Sequence, residues 1–232
     1  MRVKNHYLPN VALLNVASES RIWPATKNFI PGTDVYGEKL YTDKETKTEY
    51  RTWDPYRSKL ASCIFKGMKG IPPDLNKMNI LYLGASTGTT VSHVSDIVAD
   101  NGGKVYAVEF SIRPARRLIQ LSQQRKNIIP LVTDARYPDR YHSMIWDIDF
   151  VFQDISQVNQ AEIFVDNVFS FLKSGGKGIL IVKIKSIDTI APEEEVESNQ
   201  IDYLEKNGLT ILEILDISEF EKSHRAILIS KP

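Results

Sequence analysis

The sequence predicts an α/β fold, with a parallel sheet covered by helices on both faces and a small β-rich N-terminal extension. From residue 79 onward, short apolar runs typical of strands alternate with longer segments of helical periodicity. Consecutive strand and helix units of this kind build a parallel sheet with both faces covered. Before residue 55 the apolar runs are separated only by turn-rich pieces. We therefore expect a β-rich extension over residues 1–54 and the main domain over residues 55–232.

The extension contains four candidate strands and one clear turn. The polar segment DKETKT at residues 43–48 lies between two of the strands and predicts a hairpin connection. The four candidate strands are VALLNVA (11–17), RIWPA (21–25), EKLYT (38–42) and EYRTW (49–53).

The main domain is expected to open with a helix after Arg57. Leu60, Ile64 and Met68 recur at helical spacing, and Gly70 followed by two prolines is expected to end the helix. The strand candidates of the parallel series then follow as NILYLG (79–84), KVYAVEF (104–110), NIIPLV (127–132), IDFVFQD (148–154) and GILIVK (178–183).

The end of the chain departs from this alternation. A helix is predicted over residues 193–206, where the acidic run EEEVE opens it because carboxylates suit the positive end of the helix dipole. The apolar runs LTILEILD (209–216) and RAILIS (225–230) follow each other closely. They are therefore expected to pair antiparallel at an edge of the sheet.

The composition is that of an ordinary globular protein. Lys plus Arg equals Asp plus Glu at 29 each, and 42% of the residues are apolar. Because RNA affinity depends on neutralising phosphates, a neutral chain that holds RNA needs a local basic face or a partner.

The single cysteine, Cys63, cannot form an internal disulfide, and no Cys/His cluster has the spacing of a zinc site. No segment resembles a membrane span or a signal sequence, so we expect a cytoplasmic protein.

The segment LYLGASTGTTVSHVSDIV (81–98) is the most informative, because a strand runs into a glycine turn and then a helix. Three interpretations compete. A dinucleotide site would need a glycine at Ser86, so its G-x-G-x-x-G pattern is incomplete. A nucleophile elbow is matched by GASTG as G-x-S-x-G, with Asp154 and His224 following in hydrolase order. Against the elbow, the loop follows the first strand of the parallel series, and no glycine-rich oxyanion segment precedes it.

The third interpretation is a site for a nucleoside cofactor without a pyrophosphate. Glu109 closes the next strand, where a carboxylate can accept from ribose hydroxyls, and the neighbouring Phe110 can pack on an adenine face. Asp134 closes the strand after that and can accept from an adenine amino group. Open α/β sheets bind ligands at the carboxyl edge, so this ordered set of strand ends favours a nucleoside site.

Candidate catalytic groups end the later strands. Asp154 closes IDFVFQD and Lys183 closes GILIVK, so both are expected at the ligand-binding edge of the sheet. Lys59, at the start of the first helix of the main domain, would approach as a second cation. A lysine oriented by a carboxylate can serve as a base or stabilise an alkoxide when a sugar hydroxyl acts as nucleophile. His224, at the start of the last strand, is a fourth candidate, although a lone histidine there is more often structural.

With these residues in place, the chain resembles the fibrillarin family, in particular its short archaeal members without a glycine/arginine-rich tail. The resemblance extends over nearly the whole length. It is carried by ATKNFIPG and VYGE within 25–38, YRTWDPYRSKLA at 50–61, LYLGASTGTTVSHVSDIV at 81–98, VYAVEFS at 105–111, TDAR at 133–136, DISQ at 154–157 and VKIKSID at 182–188.

The resemblance implies a class I S-adenosylmethionine methyltransferase fold, a Rossmann-like seven-stranded sheet whose last strand pair is antiparallel. It also implies an RNA ribose 2′-O-methyltransferase acting on rRNA and tRNA, with Lys59, Asp154, Lys183 and His224 as catalytic residues. The residues implied to bind S-adenosylmethionine are Gly84, Ala85, Ser86, Gly88, Thr89, Thr90, Glu109, Phe110, Asp134, Ala135, Asp154 and Gln157.

The resemblance further implies that catalysis takes place inside a box C/D particle. The implied partners are a Nop-family scaffold protein, a kink-turn-binding protein contacted through that scaffold, and a guide RNA whose pairing selects the target nucleotide. Such partners agree with the neutral charge of the chain. Two alternatives stay open. One is a methyltransferase for a small molecule or a protein side chain, and the other is a non-catalytic subunit that keeps the fold only to build an interface.

Overall fold

The computed structural model describes residues 1–17 and 21–232, and its strands form two sheets. The strands of the first sheet are β1 (Arg2–Asn5), β2 (Val11–Asn15), β3 (Ile22–Lys27), β4 (Leu40–Thr42) and β5 (Glu49–Thr52). Their order is β1-β2-β3-β5-β4, and every neighbouring pair is antiparallel. The β-rich extension is therefore a five-stranded antiparallel sheet in which β5 lies between β3 and β4.

The hairpin predicted at residues 43–48 is confirmed, since Thr42 pairs with Glu49 across it. Strand β1 is missing from the sequence-based prediction. Its residues Arg2–Asn5 are mostly polar and exposed, and they lie at the edge of the sheet. An edge strand without a buried face has no apolar alternation by which it can be recognised.

The second sheet contains the parallel series. Its strands are β6 (Ile80–Leu83), β7 (Val105–Val108), β8 (Ile128–Leu131), β9 (Ile148–Gln153), β10 (Leu172–Lys183), β11 (Thr210–Asp216) and β12 (His224–Ser230). The helices are α1 (Lys59–Phe65), α2 (Thr89–Val98), α3 (Ile112–Gln124), α4 (Gln160–Phe171), α5 (Ile184–Ile187) and α6 (Glu193–Lys206). No helix in residues 1–17 or 21–232 combines the length and the apolar character needed to cross a membrane.

The strand order of the second sheet is β11-β12-β10-β9-β6-β7-β8. Strands β6 to β10 run parallel, whereas β12 is antiparallel to both β10 and β11. The predicted antiparallel pair at the end of the chain is thus confirmed, with β11 at the edge of the sheet. The seven strands form the predicted Rossmann-like sheet, and all the parallel strands end at one edge.

Both faces of this sheet are buried, because successive residues of a strand point to opposite sides. In β6, Ile80 and Tyr82 join the hydrophobic cluster that packs against α1, α2 and α3, whereas Leu81 and Leu83 join the cluster that packs against α4 and α6. Two-sided burial explains why the strands appear in the sequence as continuous apolar runs rather than as alternating ones.

Helix α1 is shorter than predicted. It begins at Lys59 and ends at Phe65, whereas the prediction ended it at Gly70. Gly67 takes a left-handed conformation with φ +84°, and the amides of Gly67 and Met68 donate back to carbonyls of the last helical turn. This arrangement is a Schellman motif, which ends the helix before the two prolines are reached.

A buried polar cluster joins the N-terminal sheet to α2. The guanidinium of Arg51, in β5, lies 2.6 Å from Glu38 and 2.8 Å from Asp96 of α2. Arg125, directly after α3, binds the other carboxylate oxygen of Asp96, and His93 of α2 is also fully buried nearby. We call these five residues the junction cluster. The division of the chain into domains at residue 54 stays a prediction.

Candidate active site

The four residues predicted to be catalytic lie together at the carboxyl edge of the large sheet. Asp154 directly follows β9, and Lys183 ends the neighbouring β10. His224 begins β12 and is the pairing partner of Lys183 in the ladder between β10 and β12. Lys59 reaches the same place as the first residue of α1. The strand order therefore brings together side chains from four separate parts of the chain.

Asp154 lies between the two lysines. Its Oδ1 is 2.8 Å from Lys183 Nζ, and its Oδ2 is 3.4 Å from Lys59 Nζ. The three side chains are only 15% to 17% exposed, so solvent screens these charges less than it would on an open surface. Glu221 Oε2 lies 3.8 Å from Lys59 on its outer side. The site thus holds one carboxylate between two ammonium groups.

Lys183 is fixed through its side chain and its main chain. Its Nζ donates to Ser156 Oγ at 3.1 Å. Its amide donates to Gln160 Oε1 at 2.9 Å, and Gln160 Nε2 donates back to the Lys183 carbonyl at 3.2 Å. Gln160 is fully buried, and its own carbonyl accepts from Gln153 Nε2 at 2.7 Å. One carboxamide therefore binds both polar groups of the Lys183 main chain.

The ring of His224 is oriented by its own segment of chain. Its Nδ1 donates to the Lys222 carbonyl at 2.7 Å. Burial lowers the pKa of His224, and the Lys59 and Lys183 ammonium groups lower it further, while the bond to Lys222 opposes them. A neutral ring with its proton on Nδ1 keeps the Nε2 lone pair available as an acceptor.

The glycine loop after β6 lies directly against the segment that carries Asp154. Gly84 has φ +86°, and a Cβ on it would lie 2.5 Å from the carbonyl oxygen of Asp154. Only glycine fits this position, because a side chain would push the loop away from β9. In the same loop, the amide of Ser86 donates to Glu109 at 2.8 Å, and the amide of Ser111 donates to the other oxygen of Glu109 at 2.7 Å.

A cavity of about 330 Å³ follows the sheet edge from the end of β8 to the end of β10. Lys183 borders this cavity, whereas Lys59 and His224 are outside its lining. The predicted cofactor-binding residues that line it are Gly84, Ser86, Glu109, Phe110, Asp134, Ala135, Asp154 and Gln157.

Four other predicted cofactor residues lie outside the lining. Ala85 is buried, and Gly88 directly precedes α2. Thr89 begins α2 and borders a different, polar groove. The hydroxyl of Thr90 donates to Ser58 Oγ at 3.0 Å. A contribution of these four residues to cofactor binding stays a prediction.

An aromatic ring follows the end of β7, and a carboxylate follows the end of β8. Phe110 is 63% exposed and lines the cavity. Asp134 pairs with Arg136 at 2.6 Å, and this hydrogen bond lowers the pKa of the Asp134 carboxyl. An ionised acceptor and an uncovered ring therefore stand where the sequence predicted the contacts to adenine. An amino group bound there would share Asp134 with Arg136.

The geometry argues against a nucleophile elbow. Ser86 has the positive φ of such an elbow, at 50°. However, His224 is bonded to its own main chain, and the two oxygens of Asp154 face Lys59 and Lys183. Neither group is placed to activate a serine. Among the residues that the structure describes, no cluster of acids, histidines and cysteine could hold a metal ion.

Comparison with known proteins decides the family. The family model described as Fibrillarin matches residues 3–231. The chain belongs to the fibrillarin family. A fibrillarin-like rRNA/tRNA 2′-O-methyltransferase of Pyrococcus furiosus is 41% identical over 236 residues, with 100% of each chain covered.

Two solved fibrillarin structures are similar over almost the entire chain. Aeropyrum pernix fibrillarin, in complex with natively bound S-adenosyl-L-methionine, has 35% identity and a TM-score of 0.88, and the match covers 99% of this chain and 98% of that one. A fibrillarin/Nop5p complex matches with 37% identity and a TM-score of 0.85, covering 97% of this chain and 99% of that one. The predicted family and the predicted methyltransferase fold are confirmed.

The fibrillarin site also contains residues that the sequence analysis did not mark. Ser156 lies two positions after Asp154 inside the DISQ motif, so a local signal for it existed. Gln160 and Glu221 had none. A glutamine that begins a helix and an acid in a turn look like ordinary surface residues until the fold brings them to Lys183 and Lys59.

Proposed function

We propose that this fibrillarin-family chain is an RNA ribose 2′-O-methyltransferase that uses S-adenosylmethionine. The observation that carries the proposal is the position of Asp154 between Lys59 and Lys183 at one end of a cavity suited to a nucleoside. A sugar hydroxyl is a weak nucleophile at neutral pH, so its methylation calls for groups that manage its proton. The name of the Pyrococcus relative, a 2′-O-methyltransferase, supports the same reaction.

The residues around the cavity fit S-adenosylmethionine. Glu109 keeps lone pairs for ribose hydroxyls besides those that accept the two loop amides. The uncovered face of Phe110 suits an adenine ring, and Asp134 suits its amino group. The cavity volume of about 330 Å³ lies in the range of small-molecule sites. When bound, S-adenosylmethionine supplies a methyl group on a positively charged sulfur.

Lys183, Asp154 and Lys59 act on the acceptor hydroxyl. The hydroxyl oxygen would form its new bond to the methyl carbon while the bond between that carbon and the cofactor sulfur breaks. The electron pair of the broken bond would stay on the sulfur, which leaves as a neutral thioether, and the hydroxyl would give up its proton. Asp154 orients Lys183, whose Nζ either takes that proton as an amine or stabilises the alkoxide as an ammonium group. Lys59 lies on the other side of the Asp154 carboxylate, and its positive charge also stabilises negative charge on the acceptor oxygen. His224, with an available Nε2, offers a second acceptor for the proton.

The proposed working form is a box C/D particle. A Nop-family scaffold would bind this chain, as Nop5p binds the related fibrillarin in the solved complex. A kink-turn-binding protein would join through the scaffold, and a guide RNA would select the target. The equal numbers of acidic and basic residues support this assembly, because phosphates of a long RNA are then neutralised mainly by partners. In this proposal residues 1–54 form a small N-terminal domain and residues 55–232 the catalytic domain.

The test is methyl transfer from labelled S-adenosylmethionine to an RNA matched to a box C/D guide. Assemblies with and without the scaffold and kink-turn proteins are compared. A target RNA with 2′-deoxyribose at the target position is the matched control. We expect transfer in the full assembly and none to the deoxy control. Cofactor binding without transfer in every assembly would contradict the proposal and favour a structural subunit. Transfer to a small molecule or a protein that survives Lys183→Ala would favour another substrate class.

A further inference from the structure

Helix α3 carries a row of basic and amide side chains along one exposed face. Its sequence IRPARRLIQLSQQ contains three arginines and no acid. Residues at spacings of three, four, seven and eleven lie on one side of a helix, and these side chains are all exposed. The row consists of Arg113, Arg116, Arg117, Gln120 and Gln124. We call it the α3 stripe.

The arginines of the α3 stripe differ from others in the molecule because they are not matched by acids. Within residues 1–17 and 21–232, Arg113, Arg116 and Arg117 have no carboxylate partner. By contrast, the exposed Arg136 is paired with Asp134, and the largely buried Arg225 is paired with Glu197. Exposed guanidinium groups held together without counter-charges raise the local positive potential, which favours binding of a polyanion.

Charge is also divided between the two faces of the neutral chain. Helix α3 places Leu118 in the hydrophobic cluster on one face of the sheet, whereas α6 places Leu204 in the cluster on the opposite face. The sequence of α6, EEEVESNQIDYLEK, has six acids and one lysine. The α6 face repels phosphates and the α3 face attracts them. A nucleic acid partner is therefore expected on the α3 side.

A polar groove lies between the α3 stripe and the segment that directly precedes α1. Arg117, Gln120 and Gln124 form one wall of the groove, and Arg57 lies on another. Asp34 is the one acidic residue among those lining it. Arg57 lies two positions before the catalytic candidate Lys59, and its guanidinium rests 4.9 Å above a tyrosine ring. A strand that follows this groove would have its sugars near Lys59.

We propose that the α3 stripe and Arg57 bind the phosphate backbone of the RNA that enters the active site. The inference rests on the proposed function, and it adds which surface holds the substrate. Guanidinium groups pair with phosphate oxygens in a forked geometry, and glutamine amides donate to phosphate and sugar oxygens. None of these contacts depends on base identity, which suits an enzyme whose target is selected by guide pairing.

Salt dependence of RNA binding tests the α3 stripe. The triple variant Arg113→Gln, Arg116→Gln, Arg117→Gln is assembled into the full particle, and target RNA binding is measured across a salt series. The control variant, Lys4→Gln, Lys44→Gln, Lys47→Gln, changes net charge equally on exposed positions of the N-terminal sheet. We expect the stripe variant to bind about tenfold more weakly or worse, with a log–log salt slope shallower by about 2 to 3. The control should keep the wild-type slope, and equal slopes for both variants would overturn the proposal.

Photocrosslinking identifies what lies on the stripe. Cys63 is buried and burial raises the pKa of its thiol, so a new surface cysteine is the reactive one for labelling. Gln124→Cys carries a photoreactive label in the full particle, and Lys47→Cys is the control position. We expect crosslinks from position 124 to target or guide RNA. Crosslinks to the scaffold protein instead would overturn the proposal. Wild-type transfer measured in the same particles separates the two ideas, since transfer can fail while the stripe still crosslinks to RNA.

Discussion

Two aspartates in this molecule each lie between two basic side chains, but their surroundings differ. Asp96, in the junction cluster, is 2.8 Å from Arg51 and is also bound by Arg125, and its side chain is 0% exposed. Asp154 faces Lys59 and Lys183 at the end of a cavity, with 16% of its side chain exposed. One pattern of charges thus occurs once in a sealed interface and once at an open sheet edge.

The difference shows how saturation separates a structural carboxylate from a reactive one. Besides its two arginines, Asp96 accepts from the Thr26 hydroxyl at 2.7 Å and from the Phe29 amide at 3.0 Å, so a ligand would find both oxygens occupied. Asp154 faces lysines instead. An arginine presents a fixed planar fork that stays charged, whereas a lysine ammonium can move and exchange a proton. The sealed pattern suits stability, and the open one suits proton transfer.

The largest expected effect comes from breaking the open pattern at Lys183. Lys183→Met keeps a long, mainly apolar side chain but removes the charge and the exchangeable proton. We expect methyl transfer to fall by about 10²- to 10⁴-fold, the usual contribution of a general acid or base. Cofactor affinity and Tm should stay near wild type, because the lost ammonium group lies at the edge of the cavity. Single-turnover assays measure transfer, calorimetric titration measures cofactor affinity, and thermal unfolding measures Tm.

A nearby lysine provides the control for that variant. Lys185 lies two positions further on, is exposed and donates to the Thr189 carbonyl. Lys185→Met should leave transfer unchanged. Activity of Lys183→Met at the wild-type level across the pH range would remove Lys183 from the reaction.

The sealed pattern is broken by Asp96→Asn. Arg51 and Arg125 would stay buried with Glu38 as their remaining acidic neighbour. Removing one partner of a buried ion pair destabilises a protein by about 3–5 kcal/mol, and we expect a loss of that size in the free energy of unfolding. Urea unfolding measures it. The matched variant Asp154→Asn should lose much less stability and nearly all transfer. Equal losses of stability in the two variants would remove the distinction between the two sites.

The parts of the fold that the sequence predicted are those with a local physical cause. Strands β6 to β10 are apolar runs because both faces of the sheet are covered. The early end of α1 has a local cause too, since Gly67 ends the helix before Gly70 is reached. Strand β1 has no local apolar pattern from which it could be predicted, because it is held to β2 by backbone hydrogen bonds at a polar edge of the sheet.

The candidate site divides in the same way. Asp154 and Lys183 could be predicted because a polar residue that ends an apolar parallel strand must stand at the carboxyl edge. The contact between Arg51 and Asp96 could not be predicted. The two residues lie 45 positions apart, one in strand β5 and the other in helix α2, and only the packing of the N-terminal sheet on α2 brings them together. Neither residue has a neighbour in the sequence that marks it as buried.

Gln160 is as buried as Asp96, but it binds the main chain of Lys183 in the candidate active site. Gln160→Leu would remove both hydrogen bonds from its carboxamide to the Lys183 main chain. Small displacements of a reacting group cost up to about 100-fold in rate, so we expect transfer to fall about 10- to 100-fold. The loss should appear in kcat, with KM for target RNA and cofactor affinity unchanged. A wild-type kcat in a folded Gln160→Leu protein would contradict a role of Gln160 in positioning Lys183.

His93 gives the junction cluster a dependence on pH. Its Nδ1 lies 2.7 Å from the Thr26 hydroxyl and its Nε2 2.7 Å from the Tyr36 hydroxyl. Because Thr26 donates its single proton to Asp96, the ring donates to Thr26 from Nδ1. Burial and the neighbouring arginines lower the pKa of His93, which favours the neutral ring, and Nε2 of that ring accepts from Tyr36. His93 is therefore held as a neutral ring beside two buried arginines.

Acid should therefore weaken the sealed region by a smaller and graded amount. Burial lowers the pKa of His93 well below its ordinary value of 6.5, and the charges of Arg51 and Arg125 lower it further. As the pH falls below 6.5, the histidine of the unfolded chain binds a proton that His93 of the folded chain does not. The free energy of unfolding therefore falls by up to about 1.4 kcal/mol per pH unit. In His93→Gln this contribution is absent, and the urea midpoint should vary less steeply with pH between about pH 6.5 and pH 5. Parallel pH profiles for the two proteins would place the acid sensitivity in other groups. His224 is only half-buried at the open site, so a His224→Gln profile should stay closer to that of wild type.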